Sequence, residues 1–79
     1  MIVRLLLWSL ADSATSLEEV RARLPGAIDG VTWLWHEASE RFGVLVLGEP
    51  GDELAPALAD LRALIGKEPE LGEEFEAEP

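Results

Sequence analysis

The chain has 79 residues, 48% of them hydrophobic and 28% charged, the balance of one folded domain over 1–79 rather than of a disordered segment. Sixteen Asp and Glu against six Lys and Arg give a net charge of −10, which argues against binding nucleic acid or anionic membrane, where phosphates ask for a basic face. The absence of Cys, with one His, excludes disulfides, thiolate metal sites and a Cys nucleophile, and leaves no metal-ligand spacing.

For 8.6 kDa, area scaling gives a folded surface of roughly 4,700 Å² and one thin, two-layered core. The run Leu5–Ala11 falls far short of the ~18–20 apolar residues that cross a membrane. It reads as strand rather than as a signal-peptide core, and the expected location is cytoplasmic.

Met1–Trp8 is a near-continuous apolar run and predicts a strand covered on both faces. Alternation puts Val3, Leu5 and Leu7 on one face and Ile2, Arg4, Leu6 and Trp8 on the other. Thr15 with Glu18, and Ser16 with Glu19, both fit a capping box. Leu17, Val20 and Leu24 then form a helical stripe that Pro25-Gly26 closes. Arg21 and Arg23 fall late in this helix, where cations suit its dipole.

After a turn at Asp29-Gly30, Val31–His36 and Phe42–Leu47 read as two strands of a hairpin with a four- or five-residue loop. Pairing His36 with Arg41 sets Trp35 beside Phe42 and Trp33 beside Val44. Asp52 or Glu53 opens a second helix, with Pro56 in its first turn, Leu54, Leu58, Leu61 and Ile65 along one stripe, and Gly66 past its end. The tail Lys67–Pro79 holds six Glu against one Lys. Within it Phe75 and Ala77 alternate with Glu74, Glu76 and Glu78, the pattern of a short strand at an acidic edge.

The resulting order β-α-β-β-α-β is ferredoxin-like, an α+β fold with two helices on one face of a four-stranded antiparallel sheet. The first three strands are apolar on both alternation sets, so the face without helices needs a cover. A homodimer stacked sheet on sheet supplies it, with Ile2, Leu6, Trp8 and part of the hairpin as the expected patch.

Gly30-Val31-Thr32-Trp33, followed by Glu37-Ala38-Ser39-Glu40-Arg41-Phe42-Gly43-Val44-Leu45-Val46-Leu47, resembles the hairpin of small dimeric α/β-barrel proteins. These include the antibiotic-biosynthesis monooxygenases and the YdhR-like monooxygenases. The chain is shorter than theirs, and it has no Tyr. The resemblance implies a dimer of ferredoxin-like sheets that binds, or oxidises without a cofactor, a small aromatic molecule.

Three residue types bear on such chemistry. Histidine is the side chain that titrates near neutrality, and His36 is the candidate base; the alternative is a solvated residue at a strand end. Trp8, Trp33 and Trp35 are the candidate ligand-binding aromatics, or else core and interface packing. Arg4, expected among apolar neighbours, needs a carboxylate from the other protomer or an anionic ligand. No nucleophile-elbow motif surrounds Ser9, Ser13 or Ser39. The other function class is a non-enzymatic interaction dimer whose barrel its own side chains fill.

Overall fold

The N-terminal apolar run forms strand β1 (Ile2–Ser9), followed by helix α1 (Leu17–Arg23), strand β2 (Val31–His36), a 3₁₀ turn (Glu37–Ser39), strand β3 (Arg41–Leu47), helix α2 (Leu54–Ile65) and strand β4 (Leu71–Glu76). This computed structural model describes residues 1–78; Pro79, the last residue of the acidic tail, lies outside the described residues. The four strands make one antiparallel sheet in the order β2-β3-β1-β4, so the expected α+β arrangement is present.

Local chemistry sets the element ends. Ser16 caps α1 in a complete capping box with Glu19, which supplies partners for amides that the helix leaves open. α2 begins after Glu53, which makes no side-chain cap, and ends at Gly66 in the left-handed conformation, φ 81°. The β2–β3 loop is the four residues Glu37–Glu40, and His36 pairs with Arg41. Trp35 therefore lies beside Phe42 and Trp33 beside Val44.

One alternation set of each central strand enters the core. Leu6 and Trp8 of β1 and Phe42, Val44 and Val46 of β3 are buried against Val20 of α1 and Leu54, Leu61 and Ile65 of α2. Buried Thr15 ties the two helical segments together, its hydroxyl donating to the Leu64 carbonyl at 2.9 Å.

This reverses the expected faces. Leu6 and Trp8 are not part of an open patch; they lie beneath the helices, and the uncovered set is Val3, Leu5 and Leu7. Both sets are apolar, so alternation separates them without ranking them. The folded surface of 5117 Å² exceeds the roughly 4,700 Å² of an average chain this size, as an open sheet face requires.

Arg4 is corrected too. Its guanidinium is exposed and pairs with Glu74 of the same chain at 2.7 Å, across the β1–β4 register that sets the two residues opposite each other. The helix layer reaches Leu6 but stops short of Arg4 and Ile2, which is 45% exposed. A partner protomer is not needed to neutralise this charge.

Candidate functional site

The three indoles converge on one ring. Phe42 lies 5.8 Å from Trp8, 6.3 Å from Trp33 and 4.8 Å from Trp35, centroid to centroid, because both register pairs of β3 place aromatic residues on the helix side. Trp8 is fully buried, and its indole N–H donates to the Lys67 carbonyl at 3.1 Å. Trp35 carries the Arg21 guanidinium 4.4 Å above its ring, a cation–π stack. Glu37 fixes that guanidinium at 2.9 Å. The helix dipole explains only part of the position of Arg21; the rest is this bridge from α1 to the hairpin.

The sequence-predicted site residues therefore separate. Trp8, Trp33 and Trp35 share the helix side of the sheet, and Arg4 lies at the far end of β1, paired with Glu74. His36 alternates with Trp35 and falls on the opposite side. Trp35 and His36 meet only as lining of one groove on the open side, and Arg4, Trp8 and Trp33 do not line it.

His36 instead closes its own loop. Its Nδ1 accepts from the Ser39 backbone N–H at 3.3 Å and lies 2.5 Å from the Ser39 hydroxyl. That nitrogen is occupied by the turn, and Nε2 is the one left for any other partner.

The uncovered face holds the chemistry that the sequence left unassigned. Val3, Leu5 and Leu7 of β1 lie between Leu45 and Leu47 of β3 on one side and Leu71 and Phe75 of β4 on the other, with Leu34 of β2 beyond β3. None of these eight belongs to the core cluster. Leu47 is 42% exposed and Phe75 49%. The apolar side chains on this side of the sheet thus form one contiguous patch that neither helix covers.

Charge on this face is sparse and polarised. His36 and Arg41 sit side by side at one end, and Glu73 sits beside Leu5 at the β4 edge. Among the described residues neither Arg41 nor Glu73 makes an ion pair, whereas Arg4, Arg21, Arg62 and Lys67 each have a carboxylate partner.

A groove runs into the cationic end. It has a volume of ≈ 220 Å³ and is lined by Leu7, Leu34, His36, Arg41 and Gly43, with Trp35 and Phe42 behind. Gly43 forms its floor: a Cβ there would come within 2.6 Å of Leu7 Cδ2 and 3.3 Å of Leu34 Cβ, so a larger residue would push the Leu7 side chain aside. The sequence signal was available, since a glycine inside a strand marks a close approach. A second depression of ≈ 390 Å³ lies between the end of α1 and α2, lined by Arg23, Glu53 and Asp60 among others, so its walls are mixed in charge. Among the described residues, no group of three His, Asp or Glu is placed to hold a metal ion, and no helix is long and apolar enough to cross a membrane.

No protein-family model matches the chain, and no curated protein matches it significantly.

Proposed function

We propose that this chain is a homodimeric association module whose open sheet face stacks on a second copy of itself. The observation that carries this is the apolar face of Val3, Leu5, Leu7, Leu34, Leu45, Leu47, Leu71 and Phe75, on the side of the sheet away from the helices. Stacked sheets bury such faces about 10 Å apart, side chains interdigitating. The resemblance to dimeric α/β-barrel proteins points the same way. Light scattering on a sizing column is expected to give twice the mass of one chain at micromolar concentration. A monomer throughout that range removes the proposal.

The groove favours a second reading, a small-molecule site of the monooxygenase-like kind. A dry apolar space of ~150 Å³ already holds a benzene ring, so ≈ 220 Å³ accommodates one aromatic ring with its acid directed at Arg41 and His36. Pockets of this kind are apolar with a few convergent polar groups. Trp35 lies in the groove wall and serves as reporter. In this reading, benzoate or a polyphenol quenches tryptophan fluorescence saturably, and Arg41→Ala weakens the response about tenfold. Absence of saturable quenching up to millimolar ligand leaves association as the function.

A further inference from the structure

We propose that the two copies cross at close to a right angle, so that Arg41 of each protomer pairs with Glu73 of its partner while Phe75 comes down at the partner's β2 edge, beside His36. This inference rests on the dimer proposed above and specifies how its faces meet.

Two identical sheets stacked face to face are related by a two-fold axis lying in the plane between them. The register fixes where each charge lies. Arg41 belongs to the row of Ser9 and His36, at one end of the face, and Glu73 to the row of Leu5 and Leu45, at the β4 edge. Neighbouring strands are ~4.8 Å apart and alternate residues on one face ~6.8 Å apart. Arg41 therefore sits ~10 Å from the centre of the face along the strands and ~2 Å across them. Glu73 sits ~7 Å across and ~3 Å along.

Charge decides among the axes. An axis along the strands brings the Arg41–His36 ends of both copies together, like charge against like. An axis across the strands sets Arg41 on Leu47 and Glu73 on Leu71, and each ion loses water without gaining a partner. One diagonal sets Arg41 on Leu34 and Glu73 between Val3 and Leu5, with the same penalty. The other diagonal exchanges the along-strand and across-sheet directions. It brings Arg41 down within about 3 Å, in projection, of the partner's Glu73, and by symmetry it does so twice.

That same axis lowers Phe75 at the β2 edge of the partner, beside Leu34 and His36, where the groove opens. The half-exposed ring then covers the rim of the groove, and Glu73 lies over its cationic end. The resulting crossing of strands is the orthogonal class of sheet packing.

Area argues that these charges matter. Four strands at ~4.8 Å by seven residues at ~3.4 Å give roughly 450 Å² of flat face per copy, about 900 Å² for the pair. That falls below the ~1,000 Å² that a specific interface clears. Apolar stacking alone is nearly indifferent to rotation, so the two symmetric ion pairs set the register.

The test is a charge exchange followed by sedimentation equilibrium at low salt. Arg41 and Glu73 are both exposed in the single chain, so Arg41→Glu and Glu73→Arg leave each protomer folded, which circular dichroism checks. Each single variant is expected to weaken the dimer at least about tenfold, because two attractions become two repulsions. The double variant Arg41→Glu/Glu73→Arg is expected to return to within about threefold of the parent, and added salt to narrow all the differences. A dimeric parent whose single variants associate equally well, or whose double variant is no tighter than the singles, overturns the crossing geometry and leaves sheet stacking intact. A monomeric parent overturns the association reading itself.

Discussion

Replacing Trp8 with alanine is expected to cost about 3–5 kcal/mol of folding stability, roughly half of what a chain of 79 residues possesses at ~0.05–0.15 kcal/mol per residue. The side chain is fully buried, stacks on Phe42 at 5.8 Å and donates to the Lys67 carbonyl at 3.1 Å. Its loss opens a cavity between the two central strands and α2, and releases the segment that leads from α2 into β4. Urea unfolding followed by circular dichroism measures the change. Trp8→Phe separates the two contributions: it retains most of the apolar volume but leaves the carbonyl without its donor, an expected loss of about 1–2 kcal/mol. Trp33→Ala, at a half-buried position, should cost distinctly less than Trp8→Ala. Equal losses at the two positions would show that Phe42, not Trp8, organises the aromatic cluster.

Features governed by neighbours in the chain were legible in the sequence. The capping box at Ser16 and Glu19, the terminating Gly66 and the pairing of His36 with Arg41 all appear as read, because caps and short loops leave few alternatives. The strand in the acidic tail is also present, with Glu74 and Glu76 exposed as expected. Phe75 differs: it anchors no interior and stays half exposed on the open face, since β4 pairs only with β1 at the edge of the sheet.

What failed to show in the sequence depends on the position of the helix layer. Period-two alternation divides β1 into two sets, and both carry three or more apolar residues. Which set the helices cover is settled by the packing of α1 and α2, and the indole at Trp8 pointed to a binding surface when it marks the core. The same gap hid the stack of Arg21 on Trp35, which joins a helix and a hairpin that are distant in sequence. His36 was separated from the tryptophans by the parity already visible in Trp33, Trp35 and His36; clustering along the chain is not clustering in space on a strand.

Two adjacent leucines distinguish these faces more sharply than any other pair. Leu6 is 8% exposed within the core cluster, and Leu5 is half-buried on the open side, directly opposite Glu73 in the β1–β4 register. Leu6→Lys forces an ammonium beneath the helices with no partner, and unfolding is expected. Leu5→Lys sets the same group on the uncovered face beside a carboxylate, where a lone protomer tolerates it. In the proposed dimer, however, Leu5 lies near the centre of the interface, against the partner's Gly43, and a lysine there must be desolvated on stacking. The expected penalty is roughly 3 kcal/mol, about a hundredfold in dissociation constant. The predicted outcome is thus a split: Leu6→Lys loses its cooperative melting transition, while Leu5→Lys keeps native circular dichroism and elutes as a single chain at concentrations where the parent is paired. A Leu5→Lys variant that remains dimeric would place the interface elsewhere and leave the open face without its proposed role.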